Sequence, residues 1–142
     1  MVLSQSDAIE VKRVKGKGRG VFARRFISKG EVIERVPVIV MAAQDFENGL
    51  SGTALANYCF AWGEGKVALA LGYGSIYNHS YRPNARYDDV GLQTKHFTAI
   101  RRIAPGEEIT VNYNGEPRRR GAVWFDVVEN EKNAPRTTNG KE

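Results

Sequence analysis

A mostly β domain with few short helices is the fold this sequence predicts, and three observations carry the prediction. Short runs rich in β-branched and aromatic residues recur along the chain, among them "VIERVPVIV", "YCFAW", "KVALAL", "KHFTAI" and "EITVNY". Glycine-bearing turns separate them. A turn-then-strand pattern, Ile-x-x-Gly-Glu-x-Ile, occurs twice, in "FARRFISKGEVIERV" and in "FTAIRRIAPGEEITVN". The copies lie 76 positions apart and no third follows, so the unit is used as a pair and not as a solenoid repeat.

Taken in order, the chain opens on "MVLSQSDA", read as a flexible start over residues 1–8. "KGKGRGVFA" comes next, with Gly18-Arg19-Gly20 leading into strand-like Val21-Phe22-Ala23. Its glycines permit positive φ or close approach of a ligand to the backbone. It lacks the Gly-Lys-Ser/Thr ending of a phosphate-binding loop, so a plain basic turn remains open beside a ligand site. Pro37 inside "RVPVIV" marks an edge strand or a bulge. "AQDFENGL" is the candidate short helix, and "WGEGK" is a hairpin turn between two strands. "GSIYNHSYRPNARY" packs Asn78, His79 and Ser80 before Pro83 and Asn84. Those side chains either satisfy their own backbone in an Asx-type turn or hold a ligand. Tyr113 closes "PGEEITVNY" and is either core or catalytic. "GAVWFDVV" should dock on the domain, and the polar stretch 129–142 reads as a disordered tail.

Size and composition narrow the function. At 142 residues the chain is one domain by length. No apolar run approaches a membrane span, and the first residues lack a secretory h-region, which points to an intracellular protein, cytoplasmic or nuclear. Cys59 is the single cysteine, so neither a disulfide framework nor a cysteine-rich zinc site is expected. The net charge of +5 is modest, yet "EVKRVKGKGRG" and "EPRRRG" concentrate it enough to keep nucleic-acid contact open.

Together, and in this order, the three motifs resemble those of the SET-domain family of protein-lysine methyltransferases. The family's GxG matches Gly18-Arg19-Gly20, its NHSxxPN matches "NHSYRPN", and its GEELTxxY matches "GEEITVNY". The resemblance spans about Ile9 to Val127 and sets the domain at 9–128. It implies a β-clip fold of several small sheets with a C-terminal pseudoknot, a rare exception to the rule against threaded connections. It also implies S-adenosylmethionine as methyl donor, S-adenosylhomocysteine as product, and a lysine-containing protein substrate such as a chromatin or ribosomal protein. Residue by residue, Gly18, Arg19, Gly20, Asn78, His79 and Trp124 would bind the cofactor. Tyr113 would be catalytic, and Tyr87, Tyr58 and Phe97 would line the lysine channel, with no metal.

The chemistry agrees with those residue types. A neutral amine attacks a methyl on positive sulfur, so alignment matters more than covalent catalysis. Lysine, with pKa about 10.4, must lose its proton, which an apolar aromatic channel and a nearby cation favour. Where histone-directed members carry a cysteine after NHS, this chain has Tyr81. It also carries no cysteine-rich segment after the domain, so "GAVWFDVV" or a second subunit in a homodimer should complete the channel. Glu107, Glu108, Asp88, Asp89 and Glu116 are the candidate acids for gripping a basic peptide. Two other readings remain: a SET-fold binding module without turnover, and a basic nucleic-acid-binding domain.

Overall fold

The computed structural model describes residues 2–46, 53–123 and 127. Two antiparallel-dominated sheets run through them. β1 (Ile9–Val14) and β2 (Gly18–Ala23) form a hairpin in register from Ile9 against Ala23 to Val14 against Gly18. β3 (Val32–Ala42) leads into one 3-10 turn at Ala43–Asp45, and a second lies at Ala54–Asn57. Then come β4 (Cys59–Ala61), β5 (Lys66–Ala70), β6 (Asn78–His79), β7 (Ala85–Val90), β8 (Thr94–Ala99) and β9 (Glu108–Val111). One sheet has the order β1-β2-β9-β6 and the other β4-β5-β3-β8-β7.

The repeated turn joins them. Its first copy carries the chain from β2 to β3, and its second from β8 to β9, so each crosses between the sheets. Where they cross, Ile27 and Ile103 exchange both backbone hydrogen bonds at 2.9 Å, and both side chains are fully buried. The flanking bonds repeat the symmetry. The Gly30 N–H donates to Ala99 and the Gly106 N–H to Ala23, each at 2.8 Å. Each turn is also closed by its own glutamate. Glu31 accepts from the Ser28 N–H and Glu107 from the Ala104 N–H, both at 3.0 Å. Arg25 then pairs with Glu31 at 2.8 Å, and Arg101 with Glu107 at 2.7 Å.

Pro37 corrects an expectation, because β3 is central in its sheet and not an edge. Its first half, to Pro37, pairs with β8, and its second half, from Val38, pairs with β5. Pro37 sits at the handover, where its missing N–H interrupts neither ladder. A bulge does occur, between Val32 and Glu34. The hairpin strand β1 and strand β7 were not read from the sequence. "AQDFENGL" contributes only the turn Ala43–Asp45, and its residues 47–50 lie outside the described residues. Ala8, placed in the flexible start, is buried, and its carbonyl accepts from the Arg24 N–H at 2.7 Å. The tail 129–142 lies outside the described residues. No helix among the described residues is long and apolar enough to cross a membrane.

Truncating Ile27 to Ala should cost ~2–5 kcal/mol in urea unfolding, as for other buried isoleucines. Because Ile27 and Ile103 are cross-strand neighbours, Ile27→Ala with Ile103→Ala should cost less than the sum of the single changes.

Candidate active site

The site forms where β6 is inserted beside β9. The two strands are parallel, with Asn78 against Thr110 and His79 against Val111. The Ser80 N–H extends the ladder by donating to the Val111 carbonyl at 2.9 Å. A two-residue strand cannot hold itself in place, and Asn84 acts as its splint. Fully buried, its side-chain amide copies a backbone pair, donating to the Glu108 carbonyl at 2.8 Å and accepting from the Thr110 N–H at 2.9 Å. Pro83 and Asn84 therefore return the chain onto β9 before it enters β7. Beyond the strand, the Tyr81 hydroxyl donates to the Gly121 carbonyl at 2.8 Å. The Asn112 amide donates to the carbonyls of Pro117 and Arg119 at 3.2 and 2.6 Å. The segment after Tyr113 is thus laced back over the inserted strand.

On one side of β6 lies a polar cradle. The Asn78 amide donates to Glu108 Oε2 at 2.7 Å and to the Arg19 carbonyl at 2.9 Å. Glu108 is buried and also pairs with Lys17 Nζ at 3.1 Å. Gly20 leaves the room: a Cβ there would lie 2.5 Å from Glu108 Oε2 and 2.8 Å from Asn78 Nδ2. The structure thus brings Gly18, Arg19, Gly20, Asn78 and His79 together from two segments, with Glu108 from a third. His79 Nδ1 accepts the Tyr113 N–H at 2.9 Å, which fixes Nδ1 as the unprotonated nitrogen. Burial and the positive charge of Lys17 lower its pKa from 6.5 to about 4. His79 is therefore neutral at physiological pH, a structural acceptor for the backbone of Tyr113.

On the other side lies a cavity of about 280 Å³, walled by Tyr58, Phe60, Tyr77, Tyr87 and Tyr113 and reached by Asp89 and Lys95. The Tyr113 hydroxyl donates to the Tyr77 carbonyl at 2.6 Å. Burial, with neighbouring Tyr87, raises its pKa, so the phenol stays protonated. Burial likewise pushes Tyr87 up to about 12, and its hydroxyl lies 3.4 Å from the Tyr113 carbonyl. Tyr58 is 41% exposed at the rim. Phe97, expected in the channel, is fully buried and stacks on Tyr77 at 4.3 Å, behind the wall instead of on it. Trp124, expected over the cofactor, lies outside the described residues.

Sequence reasoning missed Lys95. Its ammonium is buried among the rings of Phe60 at 4.1 Å, Tyr87 at 4.4 Å and Trp62 at 5.4 Å, and pairs with Asp89 at 2.6 Å. Burial lowers its pKa, and Asp89 opposes that shift. The signal was in "TKHFTA", where strict alternation puts Lys95, Phe97 and Ala99 on one face. The candidate acids are all engaged within the chain. Glu107 pairs with Arg101, Glu108 with Lys17, Asp88 and Glu116 with Arg86, and Asp89 with Lys95. Of the five, Asp89 alone lines the cavity.

A small β fold with an inserted parallel strand, a polar cradle on one side and an aromatic cavity on the other defines the SET architecture. The SET domain family model matches residues 18–114. The chain belongs to the SET-domain family of protein-lysine methyltransferases. It is 33% identical over 120 residues to the Schizosaccharomyces pombe histone-lysine N-methyltransferase specific for H3 lysine-37, covering 83% of this chain and 77% of that protein. It is 31% identical over 119 residues to human histone-lysine N-methyltransferase 2B, covering 78% of this chain but only 4% of that protein. Among solved structures, a candidate histone methyltransferase from Plasmodium falciparum matches with a TM-score of 0.64 at 26% identity. That match covers 86% of this chain and 98% of the other.

The His79 geometry predicts a pH dependence of stability. The folded state keeps the imidazole neutral to about pH 4, whereas the unfolded chain binds a proton near pH 6.5. The unfolded state therefore binds more protons between these values, and stability rises with pH across that window. The contribution, roughly 3 kcal/mol from the displacement of 6.5 to about 4, should be complete above pH 6.5 and lost toward pH 4. Urea unfolding of His79→Gln at pH 5 and pH 7.5 should show a shallower dependence than the parent chain.

Proposed function

We propose that this chain transfers a methyl group from S-adenosylmethionine to a lysine side-chain amine of a chromatin protein. One observation carries the reading: three consecutive residues, Tyr77, Asn78 and His79, bond both the polar cradle and Tyr113, so a single short segment ties the two together. The cradle fits a polar cofactor. The missing side chain at Gly20 lets Glu108 and Asn78 close against the backbone there, and Asn78 is already oriented by Glu108 and Arg19. Gly18, Arg19, Gly20, Asn78 and His79 would hold the cofactor, which when bound supplies a methyl group on a positively charged sulfur. The histone-lysine methyltransferases that the chain resembles support a chromatin protein as the substrate class.

The chain's own residues then have defined tasks. Tyr58 and Tyr87 form the rim and wall through which an alkyl-ammonium stem enters, with ring faces that tolerate a methylated cation. Desolvation between these walls disfavours the charged amine. Tyr113 is a fixed dipole: its proton is committed to the Tyr77 carbonyl, so its oxygen lone pairs face the amine and the methyl group. His79 holds the Tyr113 backbone, and Tyr113 itself needs no change of protonation.

The test is transfer of labelled methyl from S-adenosylmethionine to purified histones and to nuclear extract. The parent chain should label discrete protein bands on lysine. Removing one preoriented dipole in Tyr113→Phe should lower kcat by about 100-fold, with cofactor affinity by calorimetry unchanged. Cofactor binding with no transfer to any protein would identify a binding module instead.

A further inference from the structure

We propose that Glu34 is a positioning residue of the transfer site, acting on Tyr113 through Tyr77; this rests on the methyl-transfer reading above. Glu34 projects from β3 into the core and is 7% exposed. Its Oε1 accepts the Tyr77 hydroxyl at 2.7 Å and its Oε2 accepts the Tyr73 N–H at 3.0 Å. Both donors are neutral. Burying a carboxylate against neutral donors costs stability compared with an uncharged side chain of the same shape. Burial accordingly raises its pKa, against the two hydrogen bonds. A carboxyl group kept buried at that cost points to a role other than stability.

The surroundings are built to it. Gly72 turns the chain at φ +60°, and a Cβ there would lie 2.7 Å from Glu34 Oε2. Tyr77 is then fixed at three points. Its phenol is held by Glu34, its ring is stacked on Phe97 at 4.3 Å and 17°, and its carbonyl accepts the Tyr113 hydroxyl at 2.6 Å. The carboxylate that sets the phenol end of this buried, rigid residue therefore sets the carbonyl end, and with it the direction of the Tyr113 dipole. Without Glu34, the Tyr77 hydroxyl would be buried without its acceptor, and the residue would shift to find one.

Glu34→Ala, Glu34→Gln and Tyr77→Phe test this, with kcat expressed per cofactor-binding site counted by calorimetry. Glu34→Ala should lower kcat by about 10- to 100-fold, the scale of a small misplacement at a reacting centre. Its KM for the peptide and its cofactor affinity should stay near those of the parent. Glu34→Gln should recover part of the loss, since its oxygen accepts from Tyr73 and its amide still bonds the Tyr77 oxygen, though the Tyr77 proton loses its acceptor. Tyr77→Phe should follow Glu34→Ala. Selective labelling of tyrosine ring carbons gives a readout without turnover. The Tyr113 signal, assigned with Tyr113→Phe, should move in Glu34→Ala and return part of the way in Glu34→Gln. A parent kcat per site in Glu34→Ala overturns the proposal, as does an unmoved Tyr113 signal or a Gln variant no better than Ala. If the parent chain transfers nothing, the methyl-transfer reading fails, and the Tyr113 signal alone decides whether Glu34 positions that residue.

Discussion

The reciprocal pairing of Ile27 with Ile103 is the constraint on which the rest of the molecule depends. Each isoleucine sits midway along a crossover from one sheet to the other. Fixing the two crossovers to each other fixes the sheets to each other. The symmetry extends to the closing glutamates and their arginines, so the same local solution is used twice on the same backbone geometry. β9 emerges from the second copy with its direction and register set. Everything in the site is then measured from β9: the partner of β2, the partner of β6, and the strand after which Tyr113 stands.

From that strand the site follows by hydrogen bonding more than by apolar packing. Asn84 pairs with β9 as if it were backbone, so a two-residue β6 can exist. His79 carries the opposite duty, accepting the Tyr113 N–H where β9 has ended. The residue types of the Asn-His-Ser…Pro-Asn stretch thus have two kinds of work. Asn78 faces the cradle, whereas His79 and Asn84 hold the strands that define it. Substitution at Asn84 would disturb the site without touching anything bound there.

Much of this was legible in the sequence, and the limits are physical. The paired Ile-x-x-Gly-Glu-x-Ile copies were readable because glycine and glutamate at fixed offsets make a turn with its own closing bond. That the copies pair with each other was not, since nothing local encodes a contact across 76 positions. Pro37 was misjudged because a proline excludes a ladder bond on one side only, and β3 changes partners at that residue. Lys95 and Glu34 escaped notice for a common reason. A charged residue within an alternating strand is usually solvated, and only the assembled core shows that these two point inward, onto ring faces and a phenol.

The protonation states around the cavity bear on where the amine's proton can go. Asp89 is the carboxylate among the described lining residues, and it is already paired with Lys95. His79 offers Nδ1 to a backbone donor, and the phenols of Tyr87 and Tyr113 are held protonated by burial. None of these groups can take a proton from lysine at neutral pH. The same cavity already holds one ammonium at Lys95, but there the charge has a carboxylate at 2.6 Å and three ring faces. Asp89, the carboxylate of the lining, is committed to Lys95, so an ammonium at Tyr113 would lack the partner that Lys95 has. The two ends of one cavity thus favour opposite protonation states. Under the methyl-transfer reading, that contrast would let an amine lose its proton to water on the way in and arrive neutral at Tyr113.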